Sequence, residues 1–180
     1  MRKYLISLFT LMLTAGYIVA QDKPAEKKDS AAAPAYIGIK KCSICHKGEA
    51  KGNVHEKWLA TEHANAYKVL VDKKDGSEKK AECLECHTTG FNKGGYVLDA
   101  ANAAEFEGIQ CEACHGPGSD FRPLHNKDIE AAKKVGFIPK PTEEKCVECH
   151  NKKSPTFKGF KYEEFHKKID HRYRQAEKKG

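Results

Sequence analysis

Cys111-Glu112-Ala113-Cys114-His115, followed by Gly116-Pro117-Gly118-Ser119 and, further on, His125, is the stretch on which the reading of this chain turns. Two thiols separated by two residues, with an imidazole on the next position, match the arrangement that covalent attachment of c-type haem requires. Each thiol can form a thioether to one vinyl group of the porphyrin, and the adjoining imidazole then lies beneath the iron as its proximal ligand. The same pattern recurs at Cys42-Cys45-His46, Cys83-Cys86-His87 and Cys146-Cys149-His150, which uses all eight cysteines of the chain. The competing reading is a pair of four-cysteine zinc sites. A zinc ribbon has no need of a histidine directly after the second cysteine of every pair, and here all four pairs carry one. The pattern therefore implies four covalently bound haem c groups, with His46, His87, His115 and His150 as proximal iron ligands.

The 180 residues suit one domain or two small ones. Residues 1–20 read as a signal peptide: Arg2 and Lys3 form a basic start, Tyr4 to about Thr14 an apolar run, and Ile18-Val19-Ala20 a cleavage site before Gln21. The apolar run is short for a membrane span, and no second one follows, so no stable span is expected in the mature protein. Export to the periplasm agrees with haem attachment, and free thiols in that compartment would otherwise form disulfides. Residues 21–35 (QDKPAEKKDSAAAPA) are rich in alanine, proline and charge and read as a disordered linker. Residues 36–180 then form the haem domain.

The formal charge is +7, and loss of Arg2 and Lys3 with the leader lowers it by two, to +5. A modest basic excess points to acidic redox partner proteins met by electrostatic steering. Lysines are scattered rather than gathered into a base-reading motif, which argues against nucleic acid. What remains after the leader and linker is highly charged, with little apolar surface to oppose the entropy of ordering it. Buried porphyrins would supply the missing interior, which couples folding to haem insertion.

Both methionines, Met1 and Met12, lie in the signal segment, so the mature chain has no methionine to raise a haem potential. Of nine histidines, five lie outside the motifs: His55, His63, His125, His166 and His171. Asn53 followed by Glu56 resembles a capping box, predicting a helix that runs on through Trp58 and Tyr67 to about Leu70, with His63 in its middle and His55 on its exposed first turn. Asp72 to Glu82 reads as a charged loop, and Thr88 to Tyr96 as glycine-punctuated turns passing close to a haem face. Asp128 to Val135 reads as a short helix ended by Gly136 and the prolines Pro139 and Pro141. A last helix is predicted from Tyr162 to about Ala176, with Tyr162, Phe165, Ile169 and Tyr173 on one face; that geometry places His166 near the inner face and His171 opposite. The expected fold is mainly α, with short helices and long loops packed around four haems.

The segments between the motifs carry a further signal. Tyr36-Ile37-Gly38, Trp58-Leu59-Ala60-Thr61-Glu62-His63-Ala64, Cys86-His87-Thr88-Thr89-Gly90-Phe91, Gly94-Gly95-Tyr96, Gly108-Ile109-Gln110-Cys111 to Gly118, Ser154-Pro155-Thr156-Phe157 and Lys168-Ile169-Asp170-His171 together resemble the tetrahaem cytochrome c-554 family. The resemblance implies an exported electron carrier with three bis-histidine haems and one lacking a sixth protein ligand. By position it implies His63, His125 and His171 as the distal ligands, and the Cys83/Cys86/His87 haem as the open one. His171 then takes precedence over His166, which requires the last helix to break near Asp170. The pairings expected are His46 with His125, His115 with His63, and His150 with His171. His55 and His166 are departures from the family pattern, and either is a candidate to close the open iron at the His87 haem. The main functional expectation is periplasmic electron transfer. Its rival is an enzyme that reduces a small ligand such as nitric oxide, hydroxylamine or peroxide at the His87 haem.

Overall fold

The structure is a computed structural model that describes residues 33–171. The expected signal peptide, all but the end of the expected linker, and Arg172 to Ala176 of the last predicted helix lie outside the described residues. Among those residues the chain forms nine short α-helices: α1 Ile39–His46, α2 Val54–Leu59, α3 Ala66–Asp72, α4 Ala81–His87, α5 Cys111–His115, α6 Gly118–Phe121, α7 Ile129–Lys134, α8 Glu143–Val147 and α9 Tyr162–Ile169. The single β feature among them is an isolated antiparallel bridge between Thr88 and Glu107. Short helices joined by long loops are the expected class.

The helices follow the attachment motifs. Residues three apart lie on one helix face, so a helical turn points both cysteines of a motif the same way. In α1, α4 and α5 the helix ends on the motif histidine itself. In the fourth motif α8 stops at Val147, but His150 N–H still donates to Cys146 O at 3.0 Å, extending the turn to the histidine. Asp128 caps α7 as its side chain accepts from Ala131 N–H at 2.9 Å, and the left-handed Gly136 (φ 99°) follows the helix.

The predicted helix through His63 is broken in two. Asn53 sits in the left-handed region (φ 52°) and makes no side-chain cap, while Glu56 accepts from Gly48 N–H at 3.3 Å instead of completing a capping box. The helix ends at Leu59, where Thr61 N–H and the Thr61 hydroxyl both bond Trp58 O at 2.9 and 2.7 Å, and the turn beyond is held from outside as His63 O accepts from Ile109 N–H at 2.9 Å. Trp58 Nε1 adds a 2.8 Å bond to Ile109 O. Gly108, at φ +76°, makes this approach feasible, since a Cβ there would stand 2.7 Å from Ala64 O. His63 therefore sits in a turn held from outside rather than in the middle of a helix.

Two small apolar clusters organise the rest. Leu70, Leu84, Tyr96 and Phe106 pack together with Tyr36, Tyr67 and Phe91 around them. Phe121 and Phe137 pack with tilted rings 4.7 Å apart beside the buried Ala132. The expected glycine turns after His87 fold against their own chain: Thr89 N–H bonds Phe106 O at 2.9 Å and its hydroxyl bonds Gly108 O at 2.8 Å. Ala35, expected at the end of the linker, is tied to Ser119 by two hydrogen bonds, of 2.8 and 3.1 Å. Among the described residues no helix is long and apolar enough to cross a membrane.

Candidate haem-binding site

Three pairs of imidazoles stand close together. The rings of His46 and His125 are 5.8 Å apart between centroids, those of His63 and His150 5.9 Å, and those of His115 and His171 6.0 Å. Each pair joins a motif histidine to one outside the motifs. Two ring nitrogens bound to one metal between them, each about 2 Å from it, put the ring centroids about 6 Å apart. The spacing in the structure is thus the spacing that a shared iron needs. The first pairing is the expected one. The other two are exchanged, because the turn at His63 presents its ring to His150, while the chain after Ile169 brings His171 to His115.

The orientation of the rings suits metal binding as well. A carbonyl only accepts, so a ring nitrogen facing one must carry the proton, which leaves the other nitrogen's lone pair free. His115 Nδ1 donates to Ile138 O at 2.7 Å, His125 Nδ1 to Arg122 O at 2.9 Å, and His171 Nδ1 to Ile169 O at 2.9 Å. His87 Nδ1 donates to Ala66 O at 2.5 Å. His171 reaches its place because α9 ends at Ile169 and Asp170 is extended, which is the break near Asp170 that the position of His171 requires.

His87 differs from the other three motif histidines. Among the described residues no histidine ring pairs with it. Neither of the other two histidines is directed to it by its ring contact: His166 packs on Tyr162 of its own helix at 5.1 Å, and His55 lies 5.8 Å from Trp58. His55 was expected on the surface, yet its Nδ1 is buried and has no hydrogen-bond partner. The Trp58 indole, three residues on along α2, covers it. Phe165, expected on the inner face of the last helix, is instead partly exposed and stacks on Phe160 at 5.3 Å.

Thiols of different motifs are neighbours. The Cys42 thiol of the first motif interacts with that of Cys111 of the third, which holds Cys42 below the ordinary range and raises Cys111. The Cys86 thiol of the second motif interacts likewise with Cys149 of the fourth, which lowers Cys86 to about 7 and raises Cys149. Burial pushes Cys114 up to about 11, with Cys146 of the fourth motif adding to the effect. A thioether has no proton to lose, so what these contacts convey is adjacency. The motifs run in space as first, third, fourth, second. One apolar cleft is lined by Cys111, Cys114, His115 and His171, with Trp58 and Ile109 in its wall.

Sequence reasoning passed over one residue. Glu112, between the cysteines of the third motif, is 2 % exposed, and its carboxylate accepts backbone N–H groups from Ile37 (2.9 and 3.1 Å), Gly38 (2.8 Å) and Gly118 (2.6 Å). Gln110 works alongside it, its Oε1 accepting from Ile39 N–H at 2.8 Å. Together they lash the strand of chain entering α1 to the third motif. An acid in the first turn of a helix is too common a feature to have signalled this role.

Comparison with known proteins bears directly on this arrangement. A family model described as cytochrome c554 and c-prime matches residues 41–116, which span the first three motifs. The sequence is 34% identical to cytochrome c-554 of Nitrosomonas europaea over 195 aligned residues, covering 93% of this chain and 75% of that protein. The chain belongs to the cytochrome c-554 family. The fold agrees: the reduced state of cytochrome c554 from Nitrosomonas europaea superposes with a TM-score of 0.53 at 30% identity, over 76% of this chain and 79% of that one. As a member of the cytochrome c-554 family, the protein is a multihaem c-type cytochrome of electron transport, with covalently bound haem c.

Burial also sets the charge state of the imidazoles. His46, His63, His115 and His150 are each held below the ordinary imidazole value, first by burial; neighbouring imidazoles add to this at His46 and His63, and the Ile138 carbonyl opposes it at His115. The neutral form, whose lone pair is free for a metal, is thereby favoured.

Proposed function

We propose that the chain is a periplasmic electron-transfer cytochrome with a cleavable leader over residues 1–20, a linker over 21–35 and a domain over 36–180 that holds four haem c groups. In this reading Cys42 and Cys45, Cys83 and Cys86, Cys111 and Cys114, and Cys146 and Cys149 are the attachment thiols. His46, His87, His115 and His150 are the proximal ligands, with His125, His171 and His63 opposite His46, His115 and His150 in turn. Haem bound at these positions supplies a one-electron iron couple. The polypeptide supplies neutral, desolvated imidazoles held in one tautomer by backbone carbonyls, which fixes their aim. It also supplies a continuous row of attachment sites, first to third to fourth to second, and excludes water from the third with Trp58 and Ile109.

The observation that carries this reading is the set of three imidazole pairs, each spaced for one iron and each drawing one partner from a motif. Mass spectrometry of exported protein should find four added haem masses. His63→Ala should convert one low-spin haem to high-spin in the paramagnetic-resonance spectrum; an unchanged spectrum would remove His63 from the ligand set.

A second reading rests on His87, which no histidine ring faces among the described residues. An iron with an open position there could take a small ligand such as nitric oxide, hydroxylamine or peroxide, and the reading becomes that of a reductase. It fails if all haems are low-spin and the reduced protein ignores carbon monoxide and nitric oxide.

A further inference from the structure

We propose that the exposed face of α1 is the port at which this cytochrome exchanges electrons with an acidic redox protein. The inference rests on the electron-carrier reading and adds the surface and the chemistry of its partner. Three independent observations converge on α1. The first is its place in the row: α1 packs against α5, which carries the third motif, and against α2 and the turn at residues 103–106, which carry none, so the first site is an end of the row and not a middle. The second is exposure. Of the eight cysteines only Cys45 is exposed, and beside it Ile44 is 69 % exposed, the most exposed large apolar side chain among the described residues. An attachment sulfur at the surface brings the edge of the group it holds there too.

The third is charge. Lys40, Lys41 and Lys47 are all exposed and lie on α1 or at its end, and the exposed Arg122 joins them by donating its Nε–H to Lys41 O at 3.3 Å. The acids nearby are Glu105, 3.8 Å from Lys40, Glu49 beyond the helix end, and Glu56, which accepts from Gly48 N–H beside Lys47. Four cations against three acids leave a modest excess of positive charge around an apolar centre. An apolar core with a polar rim is the make-up of a protein interface, and a one-sign rim steers an oppositely charged partner without needing a large buried area. At the other end of the row the signs are mixed: α4 carries Glu82 and Glu85 behind Lys79 and Lys80. That end does not select an acidic protein.

The test uses haem-loaded protein, with an acidic plant-type [2Fe–2S] ferredoxin as the probe. In each encounter one electron leaves the reduced cluster and one ferric haem becomes ferrous. In stopped flow the wild-type rate should fall as salt is raised. The triple reversal Lys40→Glu, Lys41→Glu, Lys47→Glu should slow it at least tenfold at low salt and weaken ferredoxin binding, measured by calorimetry on the oxidised pair, by a similar factor. Ile44→Ser should weaken binding without altering the salt dependence. The reversal Lys73→Glu, Lys79→Glu, Lys80→Glu, which changes net charge equally at the other end, should stay within about twofold of wild type. Equal losses in both triples would mean that net charge alone steers the partner. Loss confined to the second triple would place the port there. Either result overturns the proposal while leaving the carrier reading intact. Wild-type haems that ferredoxin cannot reduce would bring down both.

Discussion

Glu112→Ala is expected to destabilise the haem-loaded protein by roughly 3–6 kcal/mol, a large part of the 5–15 kcal/mol that an ordinary domain has in total. The carboxylate is nearly sealed from water, and its hydrogen bonds to the backbone N–H groups of Ile37, Gly38 and Gly118 offset its desolvation. Truncation leaves three donors in a poorly hydrated place without acceptors, at about 1–3 kcal/mol each. The damage should also be directed. Glu112 joins the chain entering the first motif to the third motif, so its loss should shift the spectra of the haems at His46 and His115 before those at His87 and His150. Glu112→Gln keeps one accepting oxygen but sets an amide donor against the remaining N–H groups, and should fall between the two. Guanidinium titration followed in the haem absorption band measures all three proteins. A Glu112→Ala midpoint within about 1 kcal/mol of wild type would show that the segment before α1 is held by something else.

Chain made without haem attachment should show no cooperative unfolding at all. Among the described residues only six apolar side chains are buried: Leu70, Leu84, Tyr96, Phe106, Phe121 and Ala132. Fully burying one such side chain is worth about 1.5–3 kcal/mol, while each ordered residue gives up about 1–2 kcal/mol of backbone entropy. Six cannot hold so long a chain. The helices are too short to persist alone, since isolated helices below about 12–15 residues are marginal in water. The longest among the described residues, α1 and α9, have 8 residues each. Calorimetry and near-ultraviolet circular dichroism of the haem-free polypeptide check this. A sharp, native-like transition would mean that the polypeptide has an interior of its own.

These two expectations bear on how the molecule is specified. The proposed attachment sites are legible in sequence because their chemistry is local: two thiols and an imidazole within one helical turn, repeated with no cysteine unused. The Asp128-capped helix and the start of α9 at Tyr162 were legible for the same reason, since cap, glycine and periodicity act within a few residues. Local rules failed where a distant segment competed for a backbone group. The helix through His63 looked continuous, but Ile109 N–H takes the carbonyl of His63, and Glu56 turns back to Gly48 and away from the cap. His55 likewise lost its exposed position to Trp58.

By itself, then, the sequence determined where two thiols and an imidazole recur together, how many times they do so and which histidines lie outside that pattern. Only the tertiary structure decided that His63 meets His150 and His171 meets His115, that Cys42 adjoins Cys111 and Cys86 adjoins Cys149, and that a single carboxylate joins the first motif to the third. The physical reason is range. Covalent attachment and helix capping depend on neighbours along the chain, whereas the pairing of imidazoles depends on where turns held by remote hydrogen bonds deliver them.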